Sequence, residues 1–330
     1  MKRNDDICDV AGILVGHDTN LDAVTGCTVV LCASPAVGAV DVRGGAPATR
    51  ETDLLSPVAM MRETHAITLS GGSAFGLDAA TGVARALEAR GIGYDVGVTR
   101  VPIVPAASLF DLGIGRSDVR PDAESGARAL AAATSGPVAL GCIGAGTGAT
   151  VGKMAGLEWA VKCGIGSASA VHPVDNYTVG ALVAVNAVGD IYDVATGRLV
   201  AGARDPSGQG WLRREKGSAP ATQAYSGANT TLVVVATDAP LNKSDLTKVA
   251  QLAHDGLALA IRPAHTPLDG DIVFALSTGQ DAASAPPVTP IKLSDIGVLA
   301  VDAVTRAIVK AAQTATSLGG TPAVRDLNWR

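Results

Sequence analysis

Short runs of β-branched residues alternate along this chain with alanine-rich stretches of helical periodicity, and glycine-dense turns join the two. The runs Thr28–Cys32, Ala66–Leu69 and Thr230–Thr237 are typical of buried strands. In Leu77–Arg90 and Ser294–Ala312 the apolar positions recur at helical spacing. Because this interleaving continues over 330 residues without a linker, a repeat or a low-complexity tract, the sequence predicts one large layered α/β domain.

Charge and composition exclude several classes of function. The chain has 26 Lys+Arg against 31 Asp+Glu and a net charge of −5, whereas binding to a nucleic acid backbone requires a basic face. Its five cysteines form no Cys-x-x-Cys pair, and its five histidines show no spacing typical of metal ligands. Each histidine is interpreted as a surface or packing residue. The sequence predicts no nucleic acid partner, no metal site and no cofactor.

The sequence also predicts neither a membrane span nor export. Residues 129–152 carry no charge, but Pro137 and several glycines interrupt them, and they contain few large aliphatic side chains. The first residues are charged and lack the apolar stretch of a signal peptide. Scattered cysteines without a disulfide pattern are typical of a reducing compartment. We therefore expect a soluble cytoplasmic protein with no membrane partner.

The glycine-rich stretch Gly144–Ala149 loosely matches the G-x-G-x-x-A pattern of dinucleotide-binding turns and follows a predicted strand, Val138–Ile143. Gly152 and Gly156 would break the helix that such a site requires, and no acidic residue follows at about 20 positions, where the ribose would be bound. The pattern therefore favours a close-packed turn. A non-hydrolytic nucleotide-binding protein is a remote alternative.

The junction Asn229–Thr230 is the candidate catalytic feature, because a hydroxyl residue begins a strong strand directly after a long irregular segment. That segment, Asp205–Asn229, shows no convincing periodicity, and loops of this length are usually functional or disordered. If the junction were cut, Thr230 would gain an α-amine with a reference pKa of about 7.7–8.0 beside its own hydroxyl. Nucleophile and base would then share one residue. Many ordinary strands also begin with threonine, so the junction alone does not decide the function.

Five separated blocks of sequence occur in the order found in one enzyme family. The blocks are Leu69–Asp78, Gly144–Lys153, Val183–Asp190, Gly227–Thr231 and Leu268–Ala275. With them the chain resembles, over nearly its whole length, the L-aminopeptidase/D-esterases, β-aminopeptidases and nylon-oligomer hydrolases. The Asn-Thr junction and the paired Asp-Gly-Asp resemble the 6-aminohexanoate-oligomer endohydrolase branch, whereas Gly-Ser and Ser-x-Glu are typical of the aminopeptidase branch.

The resemblance implies an α/β fold, a four-layer αββα sandwich of the N-terminal-nucleophile type (aminopeptidase/ornithine acetyltransferase-like). It implies one domain over 1–330 that cuts itself into 1–229 and 230–330. The expected activity is hydrolysis of linear oligoamides, such as 6-aminohexanoate (nylon) oligomers, through an acyl-enzyme. The alternative is an aminopeptidase that releases N-terminal L-, D- or β-residues from small peptides. A homo-oligomer of two-chain units is expected, a tetramer by analogy.

The resemblance also implies roles for single residues. Thr230 would be the nucleophile and, through its amine, the general base. Asp269 and Asp271 lie two apart at a strand entrance and would orient the ammonium and hydroxyl of Thr230. Lys153 would lend positive charge near the hydroxyl or the substrate carbonyl. Asn186, at a strand end, would donate its amide to the oxyanion or to substrate.

Two further expectations concern the surroundings of the nucleophile. The backbone N–H groups of Gly71, Gly72 and Ser73 are a further candidate set of oxyanion or substrate donors. Phe110 stands where relatives carry a tyrosine, so a hydroxyl that could bind substrate or stabilise the intermediate is missing. Without the resemblance, the Asp-Gly-Asp sequence would be interpreted as an ordinary turn, and the other candidates as surface or turn residues.

Overall fold

A computed structural model describes residues 3–207, 209–212 and 229–329 of the protein. Most of the predicted irregular segment Asp205–Asn229 lies outside these residues, and so does Gly227 of the fourth sequence block. Both residues of the candidate junction, Asn229 and Thr230, are described.

Strands and helices alternate through the described residues, as the sequence predicts. The helices are α1 (Ala79–Glu88), α2 (Ala123–Ala131), α3 (Lys243–Ala260) and α4 (Pro290–Thr314). The strands of the main sheets are β1 (Ile13–Asn20), β2 (Thr25–Val42), β3 (Thr49–Arg50), β4 (Thr64–Ser70), β5 (Ala106–Ser108), β6 (Ile165–Val171), β7 (Thr178–Asn186), β8 (Thr230–Thr237) and β9 (Ile272–Ser277). Shorter strands lie at Tyr94–Asp95, Arg100–Val101, Thr150–Val151, Val161–Lys162, Asp190–Tyr192, Leu199–Ala201 and Ile261–Arg262. Turns of 3₁₀ helix lie at Ile7–Asp9, Asp53–Leu55, Ser73–Asp78, Gly144–Gly146, Lys153–Ala155, Leu157–Trp159, Ala282–Ser284 and Val324–Asp326.

The long strand β2 belongs to two sheets. Its first half pairs with β1 and β4, and its second half pairs with β9, in each case antiparallel. The register between β2 and β4 shifts between Leu31 and Ala36, where Ala33–Pro35 is exposed. Proline cannot donate to a strand ladder and bulges bend a strand, so β2 passes from one sheet to the other at this point. The sheets have the orders β1-β2-β4-β5-β3 and β6-β7-β8-β9-β2.

The side chains of β8 show how the layers are arranged. Leu232, Val234 and Ala236 pack between the two sheets, whereas Val233 and Val235 pack against α3 and α4 on the opposite face. On the far side of the molecule, α1 and α2 cover the first sheet. The layers therefore follow the order helices, sheet, sheet, helices, and the predicted four-layer αββα sandwich is confirmed.

Two helices differ from the sequence prediction at their ends. α1 begins at Ala79 because a 3₁₀ turn, Ser73–Asp78, precedes it. α4 begins at Pro290, earlier than predicted, because the side chain of Thr289 caps it and proline suits the first helical turn. Neither the 3₁₀ turn before α1 nor the cap residue of α4 can be recognised from the apolar periodicity by which the helices were predicted.

The predicted strand Val138–Ile143 is wrong. The N–H group of Val138 donates to Asp6 Oδ2 at 2.9 Å, and that of Gly141 donates to Ile165 O at 2.8 Å. A strand requires a continuous ladder with one neighbour, whereas this segment bonds to separate partners. It is an irregular connection that reaches the edge of the second sheet.

The uncharged residues 129–152 do not form a long helix. α2 ends at Ala131, and the remainder contains the 3₁₀ turn Gly144–Gly146 and the short strand Thr150–Val151. Across the described ranges, no helix combines the length and the apolar character that crossing a bilayer requires.

Candidate active site

Thr230 is the first residue of β8, a central strand that lies between β7 and β9. Thr230 is 3% exposed and Asn229 is 2% exposed, so the junction is buried. The hydroxyl of Thr230 donates to the carbonyl oxygen of Asn229, with 2.5 Å between the oxygens. The hydroxyl therefore lies directly beside the carbonyl of the peptide bond that the family resemblance predicts to be cleaved.

The backbone N–H group of Gly270 donates to the same carbonyl oxygen of Asn229, at 2.8 Å. Donors aimed at a carbonyl oxygen stabilise the negative charge that develops when a nucleophile attacks the carbonyl carbon. A Cβ atom at position 270 would lie 2.8 Å from Thr230 Oγ1, so the approach requires glycine. The sequence interpretation missed Gly270, although a glycine between two acidic residues was visible in the Asp-Gly-Asp block.

Asp271 anchors the residue that follows the candidate nucleophile. Its Oδ1 accepts from the N–H of Thr231 at 2.7 Å. Its Oδ2 accepts from both the backbone N–H and the ring Nδ1 of His265, each at 2.9 Å. Both oxygens of this buried carboxylate are therefore engaged, and in the intact chain Asp271 holds the start of β8 through Thr231.

Asp269 carries a buried carboxylate oxygen with an open acceptor position. Its Oδ2 accepts from the N–H and the hydroxyl of Thr266, at 2.8 and 2.6 Å. Its Oδ1 is buried and has no hydrogen-bond partner among the described residues. Burial and the neighbouring charge of Asp271 raise the pKa of Asp269, while the bonds from Thr266 and the charge of Lys153 act in the opposite direction. Asp269 also pairs with Asn229 through a backbone bridge, which places it beside the junction.

Lys153 and Asn186 lie on the other side of Thr230. In the antiparallel pairing of β7 and β8, Asn186 is the register partner of Thr230. The Nζ of Lys153 donates to both the backbone oxygen and Oδ1 of Asn186, each at 2.9 Å. Burial lowers the pKa of Lys153 to about 7, although the charge of Asp269 acts to raise it. The structure thus brings together four predicted residues around Thr230.

Phe110 contacts Asn186 through its backbone. Its carbonyl oxygen accepts from Nδ2 of Asn186 at 2.8 Å, so it helps to orient that side-chain amide. The aromatic side chain is half-buried and carries no hydroxyl.

The turn Gly71–Ser73 does not present donors to a substrate in this conformation. The N–H groups of Gly71, Gly72 and Ser73 all donate within the fold. Their acceptors, in that order, are Gly26 O at 2.9 Å, Asp111 Oδ1 at 2.7 Å and Leu109 O at 2.9 Å. The structure therefore does not support the expected role of this turn as an oxyanion donor.

The glycine-rich stretch Gly144–Ala149 is a close-packed turn. The N–H of Gly144 donates to Thr19 Oγ1 at 2.9 Å and that of Ala145 to Thr28 Oγ1 at 3.0 Å, and a short strand follows instead of a helix. Its N–H groups do not form the phosphate cradle that nucleotide binding requires. Within the described ranges, no cluster of three or more His, Cys, Asp or Glu side chains is arranged to hold a metal ion.

The site geometry can be compared with proteins of similar sequence. Residues 5–325 match the sequence profile of peptidase family S58. A Mycobacterium tuberculosis protein, whose name describes it as an uncharacterized aminopeptidase, is 44% identical over 97% of this chain and 97% of its own length. A 6-aminohexanoate-oligomer endohydrolase of Kocuria is 31% identical over 92% of this chain and 85% of its own length.

Solved structures show the same architecture. A Burkholderia β-aminopeptidase superposes with a TM-score of 0.70 at 27% identity and covers 99% of this chain and 95% of its own. The L-aminopeptidase D-Ala-esterase/amidase of Ochrobactrum anthropi, a variant of the Ntn hydrolase fold, reaches 0.73 at 23% identity, over 97% and 88% of the two chains, and so shows the fold alone. Because the sequence matches extend over nearly the whole chain, the predicted family is confirmed: the chain belongs to peptidase family S58 and is a hydrolase that acts on amide bonds.

Proposed function

We propose that this enzyme cuts its own Asn229–Thr230 bond and then uses Thr230 as an N-terminal nucleophile on short linear amides. One observation carries the proposal. The carbonyl oxygen of Asn229 is contacted by the hydroxyl of Thr230 at 2.5 Å and by the N–H of Gly270 at 2.8 Å, in a buried setting. Nucleophile and charge-stabilising donor are thus already assembled around one peptide bond.

Self-cleavage follows from this geometry in two steps. In the first, Thr230 Oγ1 attacks the carbonyl carbon of Asn229, and the N–H of Gly270 stabilises the oxyanion. Collapse of the intermediate breaks the C–N bond, transfers the hydroxyl proton to the leaving nitrogen through a base, and leaves an ester on Oγ1. In the second step, water hydrolyses the ester and frees the carboxylate of Asn229 and the α-amine of Thr230.

Lys153 is the base that we assign to the first step. An amine with a pKa of about 7 is neutral in a substantial fraction at neutral pH, and a neutral amine can take a hydroxyl proton. Its contacts with Asn186, the register partner of Thr230, support this role. The role differs from the positive charge that the family resemblance suggests for this lysine.

The new terminus also finds a partner in the existing site. Cleavage gives Thr230 an α-amine that can carry a positive charge, and Asp269 Oδ1 is a buried carboxylate oxygen without a partner among the described residues. A buried acceptor without a partner is costly, and an ammonium group beside it would relieve that cost. We propose that Asp269 holds the α-amine in place, and that the amine, once it has released its proton, takes the hydroxyl proton of Thr230 during attack on substrate.

Both cleavage products would stay in one domain. β8, the first strand of 230–330, pairs with β7 from 1–229 on one side and with β9 on the other. Separation of the pieces would expose the apolar layers on both faces of β8 to water.

We propose linear oligoamides such as 6-aminohexanoate oligomers as the substrate class, cleaved through an acyl-enzyme on Thr230. The Asn-Thr junction, the Asp-Gly-Asp block and the similarity to the Kocuria endohydrolase support this choice. The second candidate is release of N-terminal residues from small peptides, which the 44% identity to the mycobacterial protein named as an aminopeptidase supports.

Assembly into a homo-oligomer of two-chain units, a tetramer by analogy, and a cytoplasmic location are part of the same proposal. Exposed apolar side chains support the assembly. Val98 is 93% exposed and Val96 is 46% exposed, in the turn between the short strands Tyr94–Asp95 and Arg100–Val101. The two strands expose Tyr94 (36%) and Val101 (42%) as well, and several exposed apolar side chains on one segment are typical of a protein contact surface.

Substrate class is decided by paired assays of the matured enzyme. We expect measurable hydrolysis of a linear 6-aminohexanoate oligomer, followed by liquid chromatography of the products, and a slower reaction with an amino-acid p-nitroanilide. Thr230→Val serves as the blank for both reactions, because it keeps the shape of the side chain and removes the hydroxyl. Turnover of the anilide alone would instead identify an aminopeptidase.

The rate of self-cleavage is expected to rise with pH. The lowered pKa of Lys153 means that the amine is protonated, and inactive as a base, below about pH 7 and neutral above it. The rate should therefore increase between pH 6 and 8 and then level off. Timed denaturing gels of freshly translated protein in cell-free extract would measure it.

A matched variant tests whether Lys153 acts as a base or only as a fixed positive charge. Lys153→Arg keeps the positive charge but cannot lose its proton in this pH range. We expect it to lose the pH-dependent phase of cleavage. Rapid, pH-independent cleavage by this variant would show that the charge suffices and that Lys153 is not the base.

A further inference from the structure

His265 contacts the candidate site in a way that the sequence interpretation did not foresee. It lies in the connection between the short strand Ile261–Arg262 and the Asp-Gly-Asp block, with a left-handed φ of 57°. In this conformation its backbone N–H and its ring Nδ1 converge on one oxygen, Oδ2 of Asp271, each at 2.9 Å. Non-glycine residues adopt this conformation uncommonly, and histidine and asparagine are among those that tolerate it.

A second histidine fixes the plane of the first ring. His254 of α3 is fully buried, and its ring packs edge-on against that of His265, with centroids 4.7 Å apart and an interplanar angle of 74°. Burial lowers the pKa of His254 to about 4, so its ring is neutral at neutral pH. Its Nε2 lies 2.9 Å from the backbone oxygen of Asp41, which can only accept, so Nε2 carries the proton. The ring is thereby held in place.

The charges around His265 favour its bond to Asp271. Burial and, to a lesser degree, the charge of Arg43 lower the pKa of His265. The hydrogen bond and charge of Asp271, with a smaller contribution from the backbone of His254, outweigh them, so that the pKa lies above its usual value. The other charged groups that face the pair of rings are Asp41 and Arg43, at the end of β2. An Nδ1 proton is present in both the cationic ring and the neutral Nδ1–H tautomer, so the donor to Asp271 persists on both sides of the titration.

The contacts form a continuous path to the nucleophile. His254 packs on His265, His265 donates to Asp271, and the other oxygen of Asp271 accepts from the N–H of Thr231 at 2.7 Å. Before cleavage, Thr230 is restrained covalently from both sides. After cleavage the restraint through Asn229 is gone, and the bond between Thr231 and Asp271 becomes the anchor directly behind the nucleophile.

We propose that His265 is a positioning residue, which fixes Asp271 and through it the new N-terminus at Thr230. The proposal rests on the proposed function, because it assigns a role in turnover by the cleaved enzyme. Attack on a substrate carbonyl requires the nucleophile within a narrow range of positions, and a misplacement of about 1 Å can cost about 100-fold in rate. Replacement of His265 should therefore lower kcat more than it changes KM. It should also slow turnover of substrate more than it slows self-cleavage.

The test compares two amide substitutions at one position. In His265→Asn the side-chain NH₂ occupies the place of Nδ1, and asparagine tolerates a positive φ. In His265→Gln the NH₂ lies farther out, near the place of Nε2. We expect the asparagine variant to keep kcat within about threefold of the native enzyme and the glutamine variant to lose about tenfold or more, with KM changed less in both. The kcat of His265→Ala should fall as much as that of His265→Gln.

A distant histidine provides the control. His172 also stacks on an aromatic ring, that of Tyr177, but it lies near the end of β7 opposite Asn186. His172→Gln should leave kcat unchanged. Intact mass of each variant shows whether residues 1–229 and 230–330 have separated, so a failure of self-cleavage is distinguished from a failure of positioning.

Two results would overturn the proposal. One is a fully matured glutamine variant with native kcat. The other is an equal loss of kcat in the asparagine and glutamine variants with an equal loss of melting temperature, which would assign His265 a packing role only. If the alanine variant does not fold, the comparison of asparagine with glutamine still decides between these outcomes.

Discussion

Thr230→Val is expected to leave the purified protein as a single chain of 330 residues with no amide hydrolysis above background. The variant keeps the branched shape of the buried side chain and removes only the hydroxyl that contacts the carbonyl of Asn229. Without that oxygen neither the ester of self-cleavage nor the acyl-enzyme can form. Loss of a nucleophile of this kind lowers kcat on the order of 10⁶-fold.

The neighbouring Thr231 supplies a matched control. It is equally buried, its hydroxyl has no hydrogen-bond partner among the described residues, and its N–H keeps the bond to Asp271 when the side chain changes. Thr231→Val should therefore mature and turn over substrate almost as the native enzyme does. Thr230→Ser retains the hydroxyl and should mature, more slowly because the smaller side chain is less restrained.

Intact mass and N-terminal sequencing test whether the native protein is cleaved and Thr230→Val is not. The native protein should give two fragments, and the smaller one should begin with the sequence TTLVVV. Two fragments from Thr230→Val, or hydrolysis by it at the native rate, would contradict both self-cleavage and the role of Thr230 as nucleophile.

Gly270→Ala is expected to slow self-cleavage by about 100-fold to 1,000-fold, the range typical for the loss of one oxyanion donor. The added Cβ would lie 2.8 Å from Thr230 Oγ1 and 2.9 Å from the carbonyl oxygen of Ala46. At these distances either the hydroxyl or the backbone must move. The movement would lengthen the hydrogen bond from the N–H of Gly270 to the carbonyl of Asn229, which is the donor that stabilises the oxyanion.

Gly210→Ala adds the same methyl group where no described residue lies within 4 Å, and it should mature at the native rate. Timed denaturing gels of freshly translated protein compare the two variants, and thermal melting shows whether each one is folded. A folded Gly270→Ala protein that matures at the native rate would show that the N–H of residue 270 is not needed for cleavage.

The sequence predicted the layered architecture because its signals are local. β8 was predicted as Thr230–Thr237 with the boundaries that the structure shows, since an unbroken run of β-branched residues begins directly after a polar segment. α1 and α4 were found from their apolar spacing, with errors of a few residues at the ends, where a 3₁₀ turn precedes α1 and the side chain of Thr289 caps α4. The prediction of a strand at Val138–Ile143 was wrong. Its apolar residues are typical of a strand, but this segment forms no continuous ladder of hydrogen bonds with one neighbour.

The candidate site was predictable only in part, and through family resemblance more than through pattern. Thr230, Asp269, Lys153 and Asn186 do lie together, although they come from four separate blocks. The pattern did not distinguish their roles. The carboxylate of Asp271 holds Thr231 rather than Thr230, and Lys153 has its pKa lowered by burial, which no sequence spacing reveals.

The amino-acid sequence by itself determined where β4, β8, α1 and α4 form and that a hydroxyl begins β8, because periodicity and turn chemistry act over about ten residues. Only the tertiary structure decided what surrounds that hydroxyl. The parallel pairing of β8 with β9 brings together residues 40 or 41 positions apart, so that the N–H of Gly270 donates to the carbonyl of Asn229 and Asp271 accepts from the N–H of Thr231. Such contacts depend on how elements distant in the chain pack, and local sequence carries no record of that distance or of the burial that tunes the site.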